Sequence, residues 1–339
     1  LVTALTYTLL FSQKNLALSN VVESGARHTC APITNGWETW ANFVSNNQSH
    51  CLQKYDPKAY NPECNTIMAF ASAESGDNYV NDRSNASYAP YVNCSFPHGN
   101  STWDCVPSAI VQAKLFNAYG AVNNNRVLLI GGNDFFNNIE KIISILSRLG
   151  HPDKMTLEDV KKHVPPLSHL LDNIKKWVSL QLSAGVPKNQ IFVSTLLDFS
   201  KVPATIKLAK GSKLVLGAIQ ALSFVLNHAI IGSVKSLLPE QQVLAFHKWV
   251  SEILSHSEQY GFKANLKTKS CVDDRAAPDC SGYVFFNSKH PTVAAHKILS
   301  AFVPEEVKSK PIVFFGDSLT DTGSGRSESL GNNIWCGVR

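Results

Sequence analysis

Ile312-Val313-Phe314-Phe315-Gly316-Asp317-Ser318-Leu319-Thr320-Asp321 is a run of four β-branched or aromatic residues, a glycine, and then a serine held between polar and apolar neighbours. The four leading residues are apolar without alternation, which predicts a strand covered on both faces, as at the centre of a parallel sheet. A serine just past the carboxyl end of such a strand stands where open α/β sheets gather their ligands. Val127-Leu128-Leu129-Ile130-Gly131-Gly132-Asn133-Asp134-Phe135 has the same form, an apolar strand ending in glycine and followed by polar side chains. Ile191 to Val193 and Val243 to Phe246 read as two more strands.

Helical patterns fill the intervals: Pro107 to Asn117, Asn137 to Leu149, Thr156 to Leu182, Ser212 to Leu238 and Thr292 to Phe302. Thr156 and Asp159 have capping-box spacing. Pro291 occupies what would be a first helical position, which puts His290 at a helix entrance. Strands alternating with helices predict an α/β fold, an α/β/α sandwich whose mostly parallel central sheet carries helices on both faces. The expected organisation is one domain over residues 1–339 with the serine segment, 311–321, at its carboxyl end.

The balance of 31 basic against 26 acidic residues is mild and lacks the clustered basic stripe of a nucleic-acid binder. Contact with anionic lipid headgroups stays open, although the overall charge does not argue for it. Eight cysteines, at 30, 51, 64, 94, 105, 271, 280 and 336, are even in number and lack CxxC spacing, so disulfides are expected rather than a metal site. Sequons at Asn47, Asn85, Asn93 and Asn100 crowd the same polar region and point, with the cysteines, to a secreted glycoprotein. Residues 80–102, rich in Asn and Ser, read as a surface loop. Leu1 to Phe11 is apolar but short and reads as a core element. No uninterrupted apolar run is long enough to span a bilayer.

Four segments together resemble the blocks of the GDSL (SGNH) serine hydrolases. The Ser318 segment is similar to the first block and the Asn133 segment to the GxND block. Ala73-Glu74-Ser75-Gly76-Asp77 is similar to the block that supplies a backbone donor, with Ser72 a rival donor because relatives carry Gly-Gly-Ala where this chain has Ala71-Ser72-Ala73. Phe285-Phe286-Asn287-Ser288-Lys289-His290-Pro291-Thr292 is similar to the family's D-x-x-H-P-T. The resemblance implies Ser318 as nucleophile, His290 as its base, and an oxyanion hole made by the backbone N–H groups of Ser318 and Gly76 with the Asn133 amide. It implies no metal and no organic cofactor, and Asp317 and Asp134 are read as structural. Gln190 to Asp198 is like the family's strand followed by LPD, and Asn227 like the asparagine of its late helix.

The blocks stand in a circularly permuted order, because the serine block follows the histidine block instead of opening the chain. Reading from the carboxyl end on into the amino end restores the family order, with Thr34 to Trp40 similar to its TNGPVW stretch. Within the family the resemblance is nearest to secreted bacterial phospholipases and glycerophospholipid:cholesterol acyltransferases. It suggests a Cys271–Cys280 disulfide ahead of the histidine, and a second candidate pair, Cys30 with Cys336. The implied partner is a lipid or other acyl-ester substrate met by a monomer, and peripheral membrane contact is compatible with it. Hydrolysis, acyl transfer, deacetylation of a carbohydrate or small ester, and binding without catalysis are the readings in play.

One position departs from the pattern, since Asn287 stands where the family has aspartate. Asparagine can orient an imidazole but brings no charge to steady the imidazolium, and in a serine protease that exchange costs about 10⁴ in turnover. Three accounts compete: a natural enzyme using a carboxylate from elsewhere or none, an enzyme inactivated on purpose, and a non-catalytic relative. Asp273, Asp274 and Asp279 are the nearest carboxylates in sequence. Asn287→Asp is expected to raise ester turnover; an unchanged kcat would mean that another group already supports the ring.

Overall fold

The computed structural model describes residues 38–48, 50–54, 60–70, 73–77, 79–81, 105–118, 122–146, 156–277 and 279–320. Its strands are β1 (Leu52–Lys54), β2 (Asn65–Ile67), β3 (Tyr79–Asn81), β4 (Cys105–Pro107), β5 (Asn125–Leu129), β6 (Ile191–Ser194), β7 (Val243–Leu244) and β8 (Ile312–Gly316). Six of them form one sheet in the order β1-β2-β8-β5-β6-β7, parallel at every pairing, while β3 and β4 make a separate antiparallel pair. The helices are α1 (Trp40–Gln48), α2 (Ala109–Asn117), α3 (Gly132–Phe136), α4 (Ile139–Leu146), α5 (Leu157–His163), α6 (Pro165–Ser183), α7 (Pro203–Leu208), α8 (Lys213–Lys235), α9 (Phe246–Ser255), α10 (Val293–Ala301) and α11 (Glu305–Lys308).

Successive residues of a strand point to opposite faces, and β8 shows what covers each. Phe314 meets the Trp40 ring of α1 at 5.2 Å, whereas Phe315 meets Phe116 of α2 at 5.8 Å and Trp177 of α6 at 5.2 Å. Helices therefore lie on both sides of the sheet, and the expected α/β/α sandwich is found. All of β8 is buried, in keeping with its unbroken apolar run.

β8, the last strand among the described residues, sits between β2 and β5. The segment that opens α1 abuts the residues just past β8: Trp40 Nε1 donates to Thr320 Oγ1 at 3.3 Å and Thr39 Oγ1 to the Thr320 carbonyl at 3.3 Å. At the other junction, α11 lies within the short link from α10 into β8.

Several boundaries shift. The helix expected over Thr156 to Leu182 is two, because Pro165 and Pro166 remove N–H donors and Val164 leaves helical geometry between them. The strand expected over Val243 to Phe246 stops at Leu244, and Phe246 already belongs to α9. Thr292 rather than His290 caps α10, its hydroxyl accepting the Ala295 N–H at 3.2 Å, so the histidine lies in the turn ahead of the helix. Most of Thr34 to Trp40, the opening segment Leu1 to Phe11, the Asn85, Asn93 and Asn100 sequons and the Cys30–Cys336 pair lie outside the described residues.

Gly316 ends β8 with φ +149°, opposite Leu129 in the β5 register. A Cβ there would come within 2.1 Å of the Leu129 carbonyl oxygen, a backbone atom that cannot step aside. The Gln112 side chain from α2 grips the same glycine twice, accepting its N–H at 3.0 Å and donating to its carbonyl at 2.9 Å. Gly316→Ala is therefore expected to cost about 2–4 kcal/mol, combining backbone strain with overpacking, as measured by urea denaturation.

Candidate active site

Three turns meet at the carboxyl ends of β2, β5 and β8, the adjacent strands at the middle of the sheet. Two buried acids strap them together. Asp317 accepts the Leu319 N–H at 3.0 Å, and its other oxygen lies against Gly132 of the β5 turn. Asp134 accepts the Ser75 N–H at 3.0 Å and the Ser75 hydroxyl at 2.6 Å, tying the β5 turn to the loop after β2. Burial pushes the Asp317 carboxyl up to about 7, with the nearby Asp134 adding to the rise and the Leu319 and Gly132 N–H groups opposing it. Burial likewise raises Asp134 to about 6, against the pull of its bonds from Ser75. Through these bonds each carboxylate ties one turn to its neighbour.

Ser318 comes next, nearly buried, with its hydroxyl turned toward the histidine segment. That segment is held on one side by the Cys271–Cys280 disulfide, whose cysteine at 271 donates its N–H to the Phe285 carbonyl at 3.1 Å. On the other side the Phe286 N–H reaches the His290 carbonyl at 2.9 Å, closing a tight turn around Asn287 to Lys289. His290 Nε2 then lies 2.7 Å from Ser318 Oγ, and Nδ1 lies 3.1 Å from Asn287 Oδ1. Ser318, His290 and Asn287 are thus brought into one line.

Asn287 can face a ring nitrogen with either its oxygen or its NH₂, and only the oxygen selects the useful tautomer. Its Oδ1 also accepts the backbone N–H groups of Lys289 and His290, each at 2.9 Å. Amide nitrogen cannot accept those bonds, so the orientation is set by the turn itself. Nδ1 must then carry the proton, which leaves Nε2 bare toward the serine hydroxyl. Asparagine keeps one of the two tasks of aspartate, choosing the tautomer, and loses the other, steadying positive charge. Accordingly, burial and then the neighbouring Lys289 ammonium hold the His290 pKa down at about 4.

The three nearby carboxylates are all engaged elsewhere. Asp273 pairs with Lys207 at 3.7 Å, Asp274 accepts from the Tyr283 hydroxyl at 3.1 Å, and Asp279 accepts from the Ser281 N–H at 3.0 Å. Asn133, in the turn after β5, donates one amide hydrogen to the Ala73 carbonyl at 2.9 Å, and among the described residues the second has no acceptor. Gly76 sits in the same loop but docks on α2, its carbonyl accepting the Ile110 N–H at 3.3 Å. Ser72 falls outside the described residues. Behind the turn is an apolar recess of about 20 Å³, lined in part by Leu197, Phe246, Pro291 and Leu319, with room for about one water. Among the described residues no cluster of three or more His, Cys, Asp or Glu side chains could hold a metal ion.

Sequence reasoning missed the supports. Asn173 of α6 donates to Ser75 Oγ at 3.0 Å, and His296 of α10 accepts the Trp40 N–H at 3.3 Å from a fully buried position. Gln112 was legible as a polar residue inside the apolar run Ala109 to Ala113, and Asn173 as one amid Leu170, Leu171 and Ile174. No family model matches the chain, and no curated protein matches it either.

Nitrogen NMR of the ring should show the Nδ1–H tautomer of His290 at neutral pH and protonation only near pH 4. In Asn287→Asp the carboxylate favours the cation, and the titration should move upward; an Nε2–H tautomer in the unaltered chain would contradict the assigned amide orientation.

Proposed function

We propose that the chain is a serine ester hydrolase of the GDSL (SGNH) type that acts on acyl esters. The observation that carries the reading is the line from Ser318 Oγ through the His290 ring to Asn287 Oδ1, with separations of 2.7 and 3.1 Å, at the carboxyl edge of a parallel sheet. A hydroxyl donating to a bare imidazole nitrogen is an activated nucleophile.

Ser318 Oγ attacks the acyl carbon while its proton passes to His290 Nε2. The carbonyl oxygen gains charge and is met by the Ser318 N–H, the free hydrogen of the Asn133 amide and the Gly76 N–H, the donors the resemblance assigns. Collapse expels the alcohol, which leaves with the proton from His290, and water or a second alcohol then releases the acyl group by the reverse sequence. A base as weak as one of pKa about 4 accepts that proton reluctantly, so the unaltered chain is a slow catalyst.

Glycerophospholipids and lysophospholipids are the favoured substrates, with acyl transfer to an alcohol as the variant outcome. The disulfides Cys51–Cys64 and Cys271–Cys280 fit an oxidising compartment and support secretion. The rival reading, a deacetylase of small esters or carbohydrates, uses the same Ser318–His290 contact. A fluorophosphonate probe is expected to label Ser318 and no other residue. A panel of a phospholipid, a lysophospholipid and a short acetyl ester should show hydrolysis that Ser318→Ala abolishes. Turnover of the acetyl ester alone would favour the deacetylase, and a folded chain that the probe does not label would be a binding protein instead.

A further inference from the structure

α8 has the face of a buried helix turned to solvent. Over 18 of its residues the mean hydropathy reaches 1.9, high enough by length and composition for a membrane span, yet α8 packs as the outer wall of one helical layer. Ile219, Leu222, Leu226 and Ile230 point inward and are fully buried. At helical spacing the opposite stripe is Leu214, Gly217, Ala221, Phe224, His228 and Ile231. Outward stripes of surface helices are normally charged, and this one has no charge between Lys213 and Lys235. Leu214 is 68% exposed and Phe224 62%, and Leu208 at the end of α7 is 43% exposed.

Within the segment that carries the stripe the charges have one sign. Residues 199–239 contain five lysines, at 201, 207, 210, 213 and 235, and no aspartate or glutamate. Four of the five precede Leu214, from the turn before α7 to the first residue of α8, and all four are exposed. Among the described residues the acids that approach from neighbouring elements are Asp273, 3.7 Å from Lys207, Glu240, which pairs with Lys235 at 2.8 Å, and Asp198, which accepts from Gln220 at 3.4 Å; Lys201, Lys210 and Lys213 have no ion pair among the described residues.

This face adjoins the site. The Ala204 N–H at the start of α7 donates to the Ser288 carbonyl at 2.8 Å, within the histidine segment. Asn227 clamps Leu196 just past β6, at 2.8 and 2.9 Å, and the Ser223 hydroxyl accepts from the Phe199 N–H at 3.2 Å. Those contacts set Ser223 and Asn227 level with the carboxyl edge of the sheet. Lys213 to Gln220, about 11 Å of helix, therefore rises past that edge beside the histidine turn.

We propose that α7 and the outer stripe of α8 form a docking face for an anionic phospholipid surface, with Leu208, Leu214 and Phe224 entering the acyl boundary and Lys201, Lys207, Lys210 and Lys213 meeting phosphates. An amphipathic helix with an apolar outer face and flanking lysines lies in the plane of such an interface. Each lysine near an anionic surface is worth roughly a factor of five in affinity. Docking deepens the lipid-ester reading, since it brings the bilayer to the rim of the Ser318 turn, but it does not require that reading to hold.

The test uses the full chain carrying Ser318→Ala, so that lipid is not consumed, in sedimentation with vesicles of phosphatidylglycerol and phosphatidylcholine or of phosphatidylcholine alone. Binding to the anionic vesicles is expected, lost at least tenfold in Lys207→Gln/Lys210→Gln/Lys213→Gln, lost likewise in Leu214→Ser/Phe224→Ser, and suppressed by salt. In the Ser318 chain the same surface substitutions should leave hydrolysis of a soluble short-chain ester unchanged, which also shows that they fold. Equal binding to both vesicle types, or undiminished binding by both variants, would overturn the proposal. So would a dimer in sedimentation velocity that Leu214→Ser/Phe224→Ser dissolves, because a second copy would then cover the stripe. Vesicle binding without any ester turnover would leave docking standing and remove the hydrolase reading.

Discussion

β8 is hydrogen-bonded along both edges, and the site hangs from its last residue. Its pairing with β2 and β5 joins sequence from near residue 66 and near residue 127 to sequence near 314, so the central sheet closes only when the far end of the chain is in place. Gly316 is the tightest point of that closure. With its Leu129 contact and the double grip of Gln112, it leaves Asp317 and Ser318 only one path off the strand. The position of the Ser318 hydroxyl thus results from backbone packing more than from any contact of its own side chain.

The turn after β8 and the groups packed around it work against folding electrostatically. Asp317 at about 7 and Asp134 at about 6 hold protons in the native state that the unfolded chain gives up near pH 4. Their contribution is therefore unfavourable as pH rises from about 4 to 7. His290 shifts in the opposite sense, from its ordinary 6.5 to about 4, so its burial costs stability as pH falls through that interval. All three shifts have desolvation as their first cause, and all three groups lie around one turn. The fold holds three groups with desolvated, shifted titrations around one turn, a clustering common at functional sites and also found in structural networks.

The central strands were readable because Val127 to Ile130 and Ile312 to Phe315 are apolar on both faces and end at glycine, although β5 begins two residues earlier, at the buried Asn125 and Arg126. β1 and β2 were not, since Leu52-Gln53-Lys54 and Asn65-Thr66-Ile67 are short and polar, and only their place at the sheet edge and against β8 makes them strands. Asn65 illustrates the point: its side-chain oxygen accepts the Ile312 N–H at 2.7 Å, a contact across 247 positions that no local pattern announces. For the site, residue identity and spacing marked Ser318, His290 and Asn287. Spacing could not reveal that the Gly76 carbonyl docks on α2, or that Asp273, Asp274 and Asp279 all have partners of their own, because each depends on how loops fold.

The exchange of aspartate for asparagine separates two effects that a carboxylate combines. A carboxylate beside Nδ1 accepts its proton bond whichever way it turns, and its charge also favours the cation. An amide accepts only through one end, so it serves only where something prevents its rotation. Here the N–H groups of Lys289 and His290 do so, and they belong to the same turn that carries the ring. Because those donors would bind a carboxylate at least as well, the turn suits either residue, and the local backbone needs no change to accommodate the exchange. The difference between the two falls on charge alone: a neutral partner leaves the imidazole to the full cost of its burial, with Lys289 adding to it. An aligned hydroxyl and imidazole, in the right tautomer, can therefore stand beside a neutral partner that leaves the ring a weak base, so the contact between Ser318 and His290 by itself measures alignment and not catalytic power.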